Sequence, residues 1–231
     1  MMTIVCELST NHGGDVDLAC DMVRAASDAG ADYAKIQSYS LARLHGADPQ
    51  RDWLTQAHLD EAAHERIRRA CEDAGIAFLS TPFDEDSLAM LRRMGVKTFK
   101  IASSEAGNPW WYKQDGETWF VSWPWGRKPE HSAQADIDIA AIPLYPTPLE
   151  CVSRAHMRQG WSDHGMGLSA CLMQIAHGVQ LVEAHLSLDG RGRTCVWDKS
   201  PAEFRQLRDF ADACATMRSG VSTVYRRRWS A

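Results

Sequence analysis

His164, in Gly160-Trp161-Ser162-Asp163-His164-Gly165, and His185, in Val182-Glu183-Ala184-His185-Leu186, close two consecutive strand-like runs. Glu7, Lys35, Lys100 and Glu105 precede them in comparable apolar surroundings. A charge buried without a partner carries a large desolvation cost, so these placements predict a polar site at the ends of parallel strands. Neighbouring strands lie about 4.8 Å apart, which lets both imidazoles reach one divalent ion. Two ligands leave coordination positions open for water or a carbonyl that the ion polarises. The same spacing also fits two hydrogen-bonded core histidines with no metal.

Lys35, in Ala34-Lys35-Ile36-Gln37, and Lys100, in Phe99-Lys100-Ile101-Ala102-Ser103, raise a related question. Two buried ammonium groups repel unless an anion lies between them. A phosphate or carboxylate ligand is one such anion, with Ser80, Thr81, Ser103, Ser104 and Ser162 as further donors; structural pairing with Glu7, Glu105 or Glu183 is the other. Tyr145-Pro146-Thr147-Pro148 fixes a rigid turn that either holds a tyrosine over a cavity or serves only as a helix entry. His58 and His64 read as helix-face residues, His177 as a helix C-terminal residue, and His45, His131 and His156 as solvated. Nine tryptophans are many for this length; Trp110, Trp111, Trp119, Trp123 and Trp125 read first as packing and second as a stacking surface.

The elements that position these residues follow from periodicity. Strands are expected near 3–8, 33–38, 77–82, 98–103, 119–123, 138–144, 159–163 and 181–187. Helices are expected near 15–29, 58–74, 84–94, 149–157, 168–178 and 201–217. Asp15 and Asp84 supply cap or first-turn signals, Gly30, Gly75 and Gly95 supply stops, and Pro201 fits a first turn. Alternation of short β-branched runs with amphipathic segments predicts an α/β fold, a (β/α)8 TIM barrel. The fifth βα unit is expected to be short and irregular, because Gly126 to Asp136 contains Pro129, His131 and Ser132. A doubly wound sheet is the alternative, but Asn11-His12-Gly13-Gly14 does not match its phosphate-binding turn. On a strand, residues i and i+2 share a face, which groups Glu7 with Val5 and Ser9, Lys35 with Gln37, and Glu183 with His185.

The chain has 231 residues, 45% hydrophobic and 24% charged, with a net charge of −5. This is enough for one large globular domain. Apart from Arg226-Arg227-Arg228 the basic residues are dispersed, which argues against nucleic acid as a partner. Seven scattered cysteines without a Cys-x-x-Cys pair predict neither a disulfide framework nor a zinc ribbon and fit a reducing cytoplasm. With no signal-like or membrane-spanning run, the expected location is cytoplasmic and off the membrane.

Taken together, several segments resemble the sialic acid synthase (N-acetylneuraminate synthase) family: Glu7 with Asn11-His12-Gly13-Gly14-Asp15, Gly30 to Gln37, Phe78-Leu79-Ser80-Thr81-Pro82-Phe83-Asp84, Phe99 to Ser103, Tyr145-Pro146-Thr147-Pro148, Ser162-Asp163-His164 and Glu183-Ala184-His185. The resemblance implies a barrel over 1–220 that condenses phosphoenolpyruvate with an amino-sugar aldehyde, giving a 2-keto-3-deoxy sugar acid and phosphate. It implies Lys35, Lys100, Ser103 and Ser162 as phosphoenolpyruvate anchors, with Gln37, Thr81 and Ser122 as neighbours. It implies His164 and His185 as ligands of a divalent metal, manganese with magnesium or cobalt as alternatives. Glu7, Glu105 and Tyr145 are implied to orient the sugar and the attacking water, and a homodimer is implied as the assembly.

The chain departs from that pattern at Ser122-Trp123-Pro124-Trp125, at Pro143, and at Gly192-Arg193-Thr194-Cys195-Val196-Trp197-Asp198. Residues 221–231 form an expected tail where the relatives' antifreeze-like domain begins. Two functions fit the resemblance and these departures: a metal-dependent synthase, and a noncatalytic barrel that keeps an anion pocket for binding or assembly. A metal-dependent hydrolase would call for a further His or Asp cluster.

Overall fold

The computed structural model describes residues 2–44, 49–129, 135–153 and 155–219. Eight strands, β1 (Thr3–Ser9), β2 (Tyr33–Ser38), β3 (Ala77–Pro82), β4 (Thr98–Ile101), β5 (Thr118–Pro124), β6 (Ile137–Ala141), β7 (Gly160–Asp163) and β8 (Leu181–His185), pair in chain order. All the pairs are parallel, and β8 closes on β1 to make a barrel. The fold is thus a (β/α)8 TIM barrel, as expected.

Period-2 alternation explains how this barrel holds charge without collapsing. Val5, Leu79, Phe120, Ile139 and Leu181 pack together as an apolar floor. Two residues further along four of these strands stand Glu7, Thr81, Ser122 and Glu183, all buried. The side chains that share a face therefore change from apolar to polar toward the carboxyl ends.

The outer layer consists of α1 (Val16–Asp28), α2 (Arg51–Ala57), α3 (Glu61–Ala74), α4 (Glu85–Arg93), α5 (Leu149–Val152), α6 (Ser169–His177) and α7 (Pro201–Ser219). Asp15, Asp60 and Asp84 cap α1, α3 and α4 by accepting from the amides of Leu18, Ala63 and Ser87 at 2.8–3.0 Å. The Asp60 cap also starts α3 at Glu61, three residues later than the helix expected over 58–74, and α2 before it was not expected. His58 therefore lies between α2 and α3 and not on a helix face. His64 does lie on α3, but it is buried, with Nε2 2.7 Å from Ser38 Oγ and Nδ1 2.8 Å from Asp60 O.

Irregularity in the wall is broader than expected. Residues 102–117, between β4 and β5, contain turns and no helix, as do 125–129 beyond β5. Tryptophans fill the space. Trp111 stacks on Trp119 at 5.3 Å between ring centroids, Phe99 lies 5.1 Å from Trp119, and Leu88 and Leu91 of α4 join them. Arg92 closes the edge through Glu117 at 2.8 Å. This is the packing reading of the tryptophans. His45, His131, Ser132 and the tail 221–231 lie outside the described residues.

Candidate functional site

The strand ends surround a cavity of about 550 Å³. Glu7, Lys35, Gln37, Thr81, Lys100, Ser103, Ser122, Tyr145, Ser162, His164 and His185 all line it. Register accounts for the meeting: Glu7 is the partner of Lys35 on β2 and of His185 on β8, Gln37 faces Thr81, and Ser162 faces Glu183. At Ser9 the β1–β2 register shifts and the backbone turns to φ +52°, a costly conformation for a non-glycine residue. That turn brings the Ser9 amide to 2.6 Å from Glu7 Oε1.

Glu105 is the exception among the expected residues. It sits in the turn after β4, outside the cavity lining, and its carboxylate accepts from Asn108 Nδ2 at 2.6 Å. The strand expected to run to 103 ends at Ile101, so the chain has already turned away at 105.

Both lysines that line the cavity have carboxylate partners, as the structural-pairing alternative required. Lys35 pairs with Glu7, and its Nζ lies 3.0 Å from Thr81 Oγ1 and 3.6 Å from Glu183 Oε2. Lys100 donates to Ser122 Oγ at 2.7 Å and lies 3.6 Å from Glu183 Oε1, which also accepts from Ser162 Oγ at 2.9 Å. Burial depresses the Lys35 ammonium, but Glu183 and Glu7 outweigh it and leave its pKa above the usual lysine value. For Lys100, burial and the nearby Lys35 charge prevail and bring the pKa down to about 8. Burial pushes the Glu183 carboxyl up; the charges of Lys100 and Lys35 and the Ser162 hydrogen bond overcome this and hold it at about 2. Glu7 goes the other way, raised by burial despite Lys35.

The imidazoles of His164 and His185 lie 5.4 Å apart between centroids. His164 Nδ1 is 3.1 Å from Ile142 O, and a carbonyl only accepts, so Nδ1 carries the proton and the lone pair on Nε2 faces Tyr145 OH at 3.1 Å. Burial lowers the pKa of both histidines, that of His185 strongly and with help from His164 and Lys35. Neutral imidazoles are what a divalent ion takes as ligands, and His164 has its tautomer fixed as well. Among the described residues no group of three or more His, Cys, Asp or Glu is assembled around a common point.

The loop between β8 and α7 supplies groups that sequence reasoning left out. Asp198 accepts from Asn11 Nδ2 at 3.0 Å and from Cys195 N at 2.7 Å, while its buried Oδ1 has no hydrogen-bond partner. That oxygen lies 4.0 Å from His185 Nδ1, beyond hydrogen-bond range, so the residues fit an ion better than His164 and His185 alone would. Lys199 is fully buried against Asp163 at 3.1 Å and donates to Gly165 O and Trp197 O. The only sequence signal for Asp198 and Lys199 was their position after a site strand.

The architecture is an α/β barrel with a charged cavity at the carboxyl ends of its strands, where enzymes of this architecture do their chemistry. Comparison with known families narrows the class: the sequence model of the NeuB family matches residues 22–111 and 145–222, and the chain belongs to that family. Among its relatives, N,N'-diacetyllegionaminic acid synthase of Campylobacter jejuni is 28% identical over 80% of this chain and 67% of its own length. N-acetylneuraminate-9-phosphate synthase of Homo sapiens is 26% identical over 80% and 62%. This chain therefore spans about two thirds of their length. The crystal structure of N-acetylneuraminic acid synthetase from Leptospira borgpetersenii, in complex with citrate, superposes with a TM-score of 0.82 at 22% identity, covering 96% of this chain and 86% of that one. Among the described residues no helix is long and apolar enough to cross a membrane.

Proposed function

We propose that this barrel is a synthase that condenses phosphoenolpyruvate with an amino-sugar aldehyde to give a 2-keto-3-deoxy sugar acid and phosphate. The observation that carries the reading is the convergence of Lys35, Lys100, Thr81, Ser103, Ser122 and Ser162 on one cavity with His164 and His185. The lysines and hydroxyls bind the phosphate and carboxylate of phosphoenolpyruvate. C3 of the enol forms the new bond to the aldehyde carbon, water adds its oxygen to C2, and phosphate departs. Glu7 orients that water and accepts its proton, while Gln37 and Tyr145 align the acceptor. His164 and His185 would hold a divalent metal, manganese in the first instance, which when bound supplies Lewis-acid polarisation of the aldehyde oxygen.

The test is phosphate release from phosphoenolpyruvate, with manganese and a panel of amino-sugar aldehydes. Acceptor-dependent release supports the synthase. Tight phosphoenolpyruvate binding without turnover on any aldehyde favours the noncatalytic barrel instead.

A further inference from the structure

Arg193 occupies a distinctive position in the β8–α7 loop. It lines the central cavity and also a shallower groove beside it, formed by His12, Asp15, Trp53 and Gln56. Its backbone is fixed, since Arg193 N donates to Asn11 O at 2.8 Å. The preceding Gly192 has φ +68°, and a Cβ there would stand 2.1 Å from Asn11 O. Glycine is what lets the loop come this close. The side chain is fixed as well: its guanidinium lies over the Trp53 ring, 5.3 Å from the centroid, and Trp53 Nε1 in turn donates to Thr10 Oγ1 at 3.0 Å.

Charge pairing sets this arginine apart from its neighbour. Arg191, in the same loop, pairs with Asp21 at 2.6 Å. No carboxylate lies within 4.0 Å of the Arg193 guanidinium among the described residues; its polar side-chain neighbour is the Cys195 thiol. Asp198, the acid nearby in sequence, takes its hydrogen bonds from Asn11 and Cys195 N. Lys35 and Lys100, deeper in the cavity, already face Glu7 and Glu183. Positive charge that Asp198 feels only at longer range, with no carboxylate bonded to it among the described residues, is therefore held at the rim, on a group whose planar fork matches phosphate and carboxylate.

We infer that Arg193 selects the acceptor, receiving an anionic group, phosphate or carboxylate, at the end of the acceptor opposite its aldehyde. The inference rests on the condensation reading. In that reading the aldehyde carbon lies by the histidines, and the far end of the acceptor reaches the rim.

The test compares three acceptors, a neutral 2-acetamido-hexose, its 6-phosphate and the corresponding 6-carboxylate, with the intact chain and with Arg193→Gln and Arg193→Lys. At least one anionic acceptor is expected to exceed the neutral one in kcat/KM by about 10- to 100-fold, the range of a charge-assisted hydrogen bond. That ratio should collapse toward one in R193Q and be partly kept in R193K. Which anion wins separates phosphate from carboxylate, and unchanged phosphoenolpyruvate affinity reports that the variants are folded. A neutral acceptor used equally well, or a ratio that R193Q leaves intact, overturns the inference while the condensation reading stands. If no acceptor turns over, calorimetry of the 6-phosphate and the 6-carboxylate into phosphoenolpyruvate-saturated protein decides. Binding that Arg193→Gln removes upholds the anion site although the condensation reading has failed; no such binding overturns it.

Discussion

Lys100 Nζ stands 3.6 Å from Glu183 Oε1, yet the lysine is the weaker base of the two ammonium groups that line the cavity, with a pKa of about 8. Its charge is present below that pH and lost above it. Phosphoenolpyruvate would restore it, so binding near pH 8 should take up about half a proton per site, and affinity should fall as pH rises through 8. Calorimetry in buffers of different ionisation enthalpy measures the uptake. Equal heats in all buffers, or the same uptake in Lys100→Met, would count against Lys100 as the titrating anchor.

Replacing His185 with alanine should abolish metal-dependent condensation and leave phosphoenolpyruvate affinity within about threefold, since the anion anchors are on other strands. Manganese titration of the variant by electron paramagnetic resonance gives a readout independent of turnover. A variant that binds manganese and turns over normally removes the metal assignment.

Glu105→Gln should leave kcat/KM within about twofold, because a half-buried turn residue outside the cavity lining usually changes activity little. The sequence expectation put this carboxylate in the site; its bond to Asn108 and its place outside the cavity lining put it elsewhere. A loss of 100-fold or more would return Glu105 to the chemistry.

Lys199→Met should destabilise the barrel by about 3–5 kcal/mol, the usual cost of leaving one member of a buried ion pair alone. Asp163 would then be charged with no cation beside it, and two loop carbonyls would lose their donor. Urea unfolding of the single variant and of Asp163→Asn/Lys199→Met measures the effect, and the double variant should recover part of the loss. Equal midpoints for Lys199→Met and the parent chain would show that the pair does not carry this load.

Gly192→Ala should lower Tm and weaken acceptor use more than phosphoenolpyruvate binding, because the added methyl meets Asn11 O at 2.1 Å in a left-handed backbone. Kinetics with the acceptor varied at saturating phosphoenolpyruvate would show a raised acceptor KM. Parent-like kinetics would mean that the loop's close approach to Asn11 is dispensable.

Much of this was legible because period-2 patterns survive in a sequence. Apolar-to-polar steps such as Leu79 to Thr81 and Phe120 to Ser122 reveal both the strand and the face that opens on the cavity. Loop geometry leaves no such trace. Glu105 was grouped with Lys100 by proximity in the chain, but β4 stops at Ile101 and the turn carries the carboxylate away. Asp198 and Arg193 were missed for the converse reason: a long irregular loop brings them back over β1, and only the approach to Asn11 fixes where they land. The helix expected over 58–74 forms from Glu61, because the Asp60 side chain caps it there and not at residue 58, while the short α2 before it had no clear signal.

The floor made by Val5, Leu79, Phe120, Ile139 and Leu181 has a kinetic consequence. It fills the barrel below the lysines, so in the proposed reaction whatever binds lowest would arrive first and depart last. On that reading, a ligand at Lys35 and Lys100 would be covered by an acceptor lodged between the histidines and Arg193. In the proposed condensation, binding order would then be set by five apolar side chains that lie below the cavity.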